Sequence, residues 1–388
     1  METADGAPKT GLFQSGGLSS LAVGVWLRET SVPARHYLAD LGQSDRAEID
    51  ALASSLRDSG ADVVVTDLRA PMAAVASDLL RYRARHDGGY WNTTGASRLV
   101  LAAELLPRMR ADGCETFVHG CVGGGNDQRR FARYGGLVAP GMSRVEPWTD
   151  PRALGRFPDR AAMAAAVARQ GLRLDRGSAA DRSTDACLAG ASHESAELED
   201  LATPVTRLRP RWSAWPHEAP TEPQTVTVEF RDGRVAGVDG SGPDPVAWMA
   251  AANTIGARHG VWLRDVVERR IVGTVCRGVY EAPGLELLER AWTRVLQAGL
   301  DAAGRELYDR LAAVLGAAMY EARWLDPAAQ AAREAVDRLV GDLSGSVTLS
   351  VHRGVVRPEG MKAASHVVQQ TRFGSGGNRW SREGDGHA

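Results

Sequence analysis

Over residues 10–168, short runs of β-branched and aromatic residues alternate with stretches in which apolar side chains recur every three to four positions. The first pattern predicts strands over 11–14, 34–40, 61–67, 115–119 and 143–147. The second predicts helices over 20–29, 46–59, 71–84, 97–111 and 159–170. Strands separated by helices imply a parallel sheet covered on both faces, an α/β architecture of Rossmann-like type. Pro71 suits the first position of its helix, where a missing N–H costs nothing. Ligands of such sheets collect beyond the carboxyl ends of the strands, where Ser15 and the 119–131 stretch fall.

The pattern then changes. Residues 172–222 are polar and rich in Ser, Asp and Arg, with little period, and read as a linker. Alternation over 225–230 and 234–238 around Asp232-Gly233 predicts a hairpin. Asp244-Pro245 opens a helix running to about 258, with Asp as N-cap and Pro in the first position. Residues 264–272 read as a strand and 278–280 as a loop. From 285 to 343 the period is helical, interrupted near Asp326-Pro327. A last hairpin pairs 346–351 with 355–357. The division expected is a nucleotide-binding domain over 1–168, an α+β domain over 169–356, and a short polar, Gly-rich tail over 357–388.

Composition narrows the function classes. The chain has 388 residues, 44% hydrophobic and 24% charged, enough for two domains and a sizeable core. A net charge of −2 gives no electrostatic reason to expect nucleic acid or a membrane surface as partner. Of the 46 basic residues 44 are Arg, a composition bias. The alternating Arg207, Arg209 and Arg211 read as a solvated face. The polar first residues lack the basic and apolar regions of a signal peptide, and no apolar run reaches membrane-spanning length. A cytoplasmic protein is expected. The four Cys and nine His show no metal-ligand spacing, so no metal site is expected from them. Trp212 and Trp215 read as packing residues, and His119 as a hydrogen-bonding residue of a loop.

Two stretches carry candidate chemistry. His119-Gly120-Cys121-Val122-Gly123-Gly124-Gly125-Asn126-Asp127-Gln128-Arg129-Arg130-Phe131 places glycines beside an amide, a carboxylate and a guanidinium. Bare backbone N–H groups can form an anion-binding concavity, while Arg grips a carboxylate and Asp accepts from an amine. That set suits a small zwitterion, although the same composition also describes a glycine-rich surface loop. Phe13-Gln14-Ser15-Gly16-Gly17-Leu18-Ser19-Ser20-Leu21 leads from a strand into a helix, the arrangement that holds phosphate at a helix N-terminus. It lacks the Gly-Lys-Ser/Thr of a Walker A loop.

Taken in order, Ser-Gly-Gly-Leu, then Tyr37-Leu38-Ala39-Asp40-Leu41-Gly42-Gln43, then the 119–131 stretch resemble the argininosuccinate synthases. The resemblance continues through Pro147-Trp148, His259-Gly260-Val261, Val267-Glu268-Arg269-Arg270 and Arg277-Gly278-Val279-Tyr280-Glu281, from about residue 11 to about 356. It implies an N-type ATP pyrophosphatase domain (adenine nucleotide alpha hydrolase-like) followed by a synthetase domain. The implied activity is ATP-dependent joining of citrulline to aspartate, with ATP and Mg²⁺ as cofactors and no covalent nucleophile. A homo-oligomer, dimer or tetramer, is implied as well. Carried over position by position, the ATP contacts are Phe13, Ser15, Gly16, Gly17, Ser19, Ser20, Ala39, His119, Gly120 and Gly125. The citrulline contacts are Tyr90, Thr94, Asn126, Arg130, Ser183, Ser192, Glu268 and Tyr280. The aspartate or amine contacts are Val122, Asn126 and Asp127.

The chain departs from the family pattern at defined points. Ser19 stands where the phosphate loop has Asp, and Leu21 where it has a final hydroxyl. Gly124 replaces a Lys, Val122 a Thr, and Gly95 a Ser. A nearly complete citrulline set beside altered loops implies a specialised ligase that joins a ureido acid to aspartate or another amine, in secondary metabolism. The rivals are a non-catalytic homologue that binds citrulline or arginine-like ligands as a partner or regulator, and an ordinary arginine-biosynthetic enzyme that tolerates its substitutions.

Overall fold

Strand β1, Lys9–Gln14, is buried from Thr10 to Gln14, as befits the central strand of a parallel sheet covered on both faces. The computed structural model describes residues 9–43, 46–172 and 182–363. In its first half come α1 (Leu18–Glu29), β2 (Ala34–Asp40), α2 (Arg46–Asp58), β3 (Asp62–Asp67) and α3 (Arg69–Arg81). They are followed by α4 (Thr93–Ala111), β4 (Cys114–His119), α5 (Asn126–Val138), β5 (Ser143–Val145), α6 (Pro151–Arg156) and α7 (Arg160–Arg169). The five strands are parallel in the order β3-β2-β1-β4-β5. Strand order reverses at β1, so a crevice opens where β1 and β4 diverge at their carboxyl ends. Phe13 pairs with His119 across that point.

One face of the sheet, with Leu12, Leu38 and Val118, packs against α1, α2 and α7. The other, with Phe13, Tyr37 and Phe117, packs against α3, α4 and α5. This second cluster runs without a break into the second half of the chain, through Val228, Trp248, Leu287 and Trp292.

That second half contains β6 (Arg182–Cys187), β7 (Gly190–Ser195), α8 (Ala196–Glu199), β8 (Gln224–Arg231), β9 (Arg234–Val238), α9 (Pro245–Arg258), β10 (Leu263–Arg269) and β11 (Val275–Glu281). It ends with α10 (Pro283–Gly299), α11 (Ala302–Tyr320), α12 (Pro327–Val340), β12 (Gly345–His352) and β13 (Val355–Ala363). Two antiparallel sheets result, β10-β11-β7-β6 and β13-β12-β8-β9. The fold is α/β, a parallel Rossmann-like sheet followed by antiparallel sheets with helices. Among the described residues no helix is long and apolar enough to cross a membrane.

The predicted parallel strands all form, and so does the hairpin about Asp232-Gly233, where both residues take positive φ. Asp244 caps α9 by accepting from the Val246 N–H. Several expectations need correction. The 172–222 stretch is no linker: β6 and β7 form a hairpin there, hidden because its strands carry polar side chains. Residues 278–280 lie within β11, paired with β10 throughout and with β7 from Val279. Helix α5 begins at Asn126, so the loop after β4 is shorter than the 119–131 motif. Pro71 is the third residue of α3, still in the turn whose N–H groups have no intrahelical partner. The long helical stretch breaks first at Asp301, whose side chain accepts from Gly304 N. Strand β13 extends to Ala363, so residues 357–363 belong to a sheet; the rest of the predicted tail, 364–388, lies outside the described residues, as do residues 1–8.

Candidate active site

The first wall of the site is the turn between β1 and α1. Gly16 takes φ +79° and Gly17 caps α1 with no side-chain bond, while the first turn of α1 carries no acidic residue. Its leading N–H groups are therefore open to an anion. The turn is stiffened from within: Ser15 Oγ lies 3.0 Å from Ser20 Oγ, which bonds the Gly17 carbonyl at 2.9 Å and also Gln14 Oε1. Gln14 Oε1 also accepts from the Gly16 N–H at 3.1 Å. Ser15 and Gly17 are exposed and Ser19 half-buried, whereas Leu21 is buried in the core beneath α1.

The loop after β4 lies directly on this turn. A Cβ on Gly120 would stand 2.7 Å from Ser20 Cα, so only glycine permits the contact. Trp148 Nε1 donates to the Gly120 carbonyl at 3.1 Å, which pins the loop from its other side. Gly120→Ala is expected to destabilise the fold by about 1–3 kcal/mol, because backbone atoms cannot yield as a side chain can. Urea unfolding measures it, and an unchanged midpoint would contradict the contact. His119 is buried, stacked on Phe131 at 5.0 Å, and accepts from Cys121 N at 3.4 Å. Burial lowers its pKa to about 4, so it is neutral near pH 7 and supplies no charge to a phosphate. The Phe13 ring is buried and also stacks on Phe131, at 4.9 Å. Ala39, at the end of β2, accepts from Gln43 Nε2 at 2.8 Å.

A second constellation forms where α4, α5, β7, β10, β11 and the end of α11 meet. Arg130 is buried; its Nη1 donates to Asp127 Oδ1 at 2.7 Å and its Nε to the Tyr320 carbonyl at 2.9 Å. Arg98 donates to the other Asp127 oxygen and to Asp185 Oδ2, both at 2.8 Å. Burial alone would raise the Asp127 pKa, but Arg98 and Arg130 outweigh it and hold the carboxyl below its ordinary range. The Tyr90 and Tyr280 rings stack at 3.7 Å, and Tyr90 Oη accepts from Thr94 N at 2.9 Å. Thr94 Oγ1 lies 2.5 Å from Ser192 Oγ. Glu268 is buried; Tyr320 Oη donates to its Oε1 at 2.8 Å, and its Oε2 makes no hydrogen bond. Asn126 Nδ2 donates to Tyr320 Oη at 3.0 Å. Ser183 pairs through its backbone with Glu194, but its side chain lies outside the described residues.

Residues 9–166 match the model of the argininosuccinate synthase N-terminal HUP domain, and residues 182–374 that of the argininosuccinate synthase C-terminal domain. The chain belongs to the argininosuccinate synthase family. Its first domain is an ATP-binding fold of the HUP class, in a family of ATP-dependent ligases.

Against that family pattern, the residues expected at the nucleotide gather at the ends of β1, β2 and β4, and of those expected at citrulline Tyr90, Asn126, Arg130 and Glu268 meet at Tyr320. Of the aspartate set, Asn126 and Asp127 face this constellation, while Val122 is 65% exposed on the loop. Gly124 takes φ +75° and donates to Gln128 Oε1, so the loop brings no cation to the crevice. The α1 turn fits phosphate. Magnesium held on phosphate needs only one or two carboxylates, and the first turn of α1 supplies none. Gly95 has no room for a side chain, because its Cβ would stand 2.9 Å from the Met319 carbonyl.

Sequence reasoning missed Arg98, Asp185, Glu194 and Tyr320. Arg98 lies four residues beyond Thr94, one helical turn, and Asp185 two beyond Ser183, so both share motif blocks already singled out. Tyr320 ends an apolar helix and carries no pattern of its own. Glu194 is reached by solvent, yet neighbouring atoms crowd it; burial, with Asp185 and Asp127, pushes its pKa up to about 7. Arg211 also departs from expectation. Instead of facing solvent it is half-buried and donates to the Gln43 carbonyl at 3.1 Å, tying the 211–213 segment to the nucleotide side. Trp215 packs on Trp262 at 5.1 Å, as expected of a packing residue, while Trp212 is 38% exposed.

Proposed function

We propose that this protein is an ATP-dependent carbon–nitrogen ligase that activates the ureido group of citrulline or a close analogue and condenses it with an amine-bearing acid, in specialised metabolism. The observation that carries the reading is the convergence of Arg130, Asn126, Glu268, Tyr90 and Tyr280 in one buried constellation, next to a glycine turn open to phosphate.

The ureido oxygen attacks the α-phosphorus of ATP and releases pyrophosphate; the amine then attacks the ureido carbon, and AMP leaves. No covalent enzyme nucleophile is needed, and the gain comes from holding reactants in line and from fixed charges. Arg130 Nη2, unused by its bonds to Asp127 and Tyr320, would take the α-carboxylate of the ureido acid. Glu268 Oε2 would take its ammonium. The open N–H groups of α1 would hold phosphate, with Ser15 and Ser19 beside them. Magnesium, when bound, would neutralise phosphate charge. With Ser19 in place of the family Asp, the α1 turn offers it no carboxylate. The protein is expected to act as a homo-oligomer.

Pyrophosphate release from ATP, with and without citrulline, tests the reading. Release that depends on citrulline supports it. Citrulline binding with no release under any amine would favour the second reading, a ligand-binding homologue without ligase activity. The engagement of the Gly16 N–H by Gln14, together with Ser19 and Gly124, favours that alternative.

The amine partner is testable separately. Val122→Thr restores a hydroxyl where the family contacts aspartate, and is expected to raise kcat/KM for aspartate about tenfold, the value of one hydrogen bond to a charged group. An unchanged value would mean that aspartate is not held from this loop.

A further inference from the structure

Tyr320 meets Arg130, Asn126, Glu268 and Tyr90 of the constellation, and nothing in the motifs marks it. It arrives from the C-terminal end of α11, across the site from α5, and is 1% exposed. Its ring stacks on His86 at 3.5 Å, meets Tyr90 edge-on at 6.3 Å, and carries the Arg130 guanidinium at 4.9 Å. Its carbonyl accepts from Arg130 Nε, and the preceding carbonyl, of Met319, fills the space beside Gly95.

The hydroxyl is the informative part, because the direction of each hydrogen bond around it is fixed. Asn126 Oδ1 accepts from the Ile271 N–H at 2.9 Å, so the Asn126 amide must present Nδ2 to Tyr320. Tyr320 Oη therefore accepts from Asn126, and its one proton is left to donate to Glu268 Oε1. Burial, reinforced by Glu268, pushes the Tyr320 hydroxyl well above tyrosine's ordinary range, which keeps that proton in place. The chain Ile271 N–H to Asn126 to Tyr320 to Glu268 runs one way only. It ends at Glu268 Oε2, a buried carboxylate oxygen that makes no well-formed hydrogen bond and has the Tyr280 hydroxyl as a neighbour. A buried acceptor without a well-placed donor is unfavourable unless a ligand supplies one.

We propose that Tyr320 is a positioning residue that fixes Glu268 to receive the α-ammonium of the substrate and joins that ammonium site to Asn126 on the amine-donor side. The proposal rests on the reading of this constellation as a site for a ureido amino acid. A phenylalanine would keep the ring, the stacking and the support of Arg130. It would release Glu268 to rotate and leave Asn126 Nδ2 without its acceptor.

Calorimetric titration of the full-length wild type and Tyr320→Phe with citrulline, and with 5-ureidopentanoic acid, which has no α-amine, tests this. The expected result is citrulline affinity about tenfold weaker in Tyr320→Phe, with affinity for 5-ureidopentanoic acid changed less than twofold, and a lowered melting temperature from the two buried hydrogen bonds lost. Equal weakening of both ligands would overturn the proposal in favour of a scaffold role, and equal citrulline affinity in the two proteins would overturn it outright. Failure of the wild type to bind either ligand would overturn the underlying reading and the proposal with it.

Discussion

Arg130→Ala is expected to reduce citrulline-dependent pyrophosphate release by at least about 10²–10³-fold, the range for losing one preorganised charge contact. Arg130 is buried and divides its donors between Asp127, the end of α11 and the proposed carboxylate of the ureido acid. Its own pKa moves up: burial opposes the charge, but Asp127 more than compensates. Removing it leaves Asp127 paired with Arg98, so no carboxylate is stranded without a partner and the chain should still fold. Arg130→Lys separates charge from geometry. A single ammonium cannot reproduce the fork that reaches a carboxylate, a carbonyl and a third acceptor together, so activity should remain low although the charge is kept. Single-turnover pyrophosphate assays, read beside thermal melting, check both variants. A folded Arg130→Ala protein releasing pyrophosphate at the wild-type rate would refute the assignment.

The second large effect is expected away from the substrates. Glu281, on β11, is fully buried and has no solvent to satisfy it. Its Oε2 accepts from Arg211 N at 2.8 Å and lies 3.0 Å from His193 Nε2. Its Oε1 accepts from Trp212 N at 2.9 Å and Ser213 N at 2.7 Å. Glutamine in its place would turn an amide donor toward backbone donors, and the loss should be about 3–5 kcal/mol, as for breaking a buried pair. Burial raises the Glu281 pKa, but the bonds from His193, Ser213 and the backbone outweigh it, and the net shift is downward. Its stabilisation is therefore fully present above the unfolded value of about 4.3 and is lost as pH falls through the lower folded value. Urea unfolding at pH 7 should separate wild type from Glu281→Gln, and the gap should narrow below about pH 4. Equal stability at pH 7 would mean that the carboxylate is dispensable. Because this segment carries Arg211 onto Gln43, loosening it should also disturb the nucleotide side.

The parallel sheet was legible because buried strands and amphipathic helices differ in period, and both patterns survive in local sequence. The hairpin β6–β7 was not legible. One of its strands carries Ser183, Thr184 and Asp185 in a row, and Asp185 meets Arg98 of a polar constellation, so alternation of hydrophobic and polar residues never appears. The site was readable where it lies in loops after strands, since glycines such as Gly120 announce a close approach. Tyr320 and Arg211 were out of reach for a different reason. Each acts through a segment brought in from more than 160 positions away, and local spacing holds no trace of such a meeting.

That distance has a consequence for biogenesis. The bond from Arg130 to Tyr320 spans 190 residues and that from Asn126 to Tyr320 spans 194. The amino-terminal half emerges first from the ribosome with every strand partner of its parallel sheet, but the core against α3 and α4 is completed only by later residues such as Trp248 and Trp292. Arg130 must then wait, hydrated and exposed, until α11 has been synthesised. Substrate-binding competence is thus a property of the nearly finished polypeptide: a chain arrested before residue 320 would lack one wall of the specificity pocket.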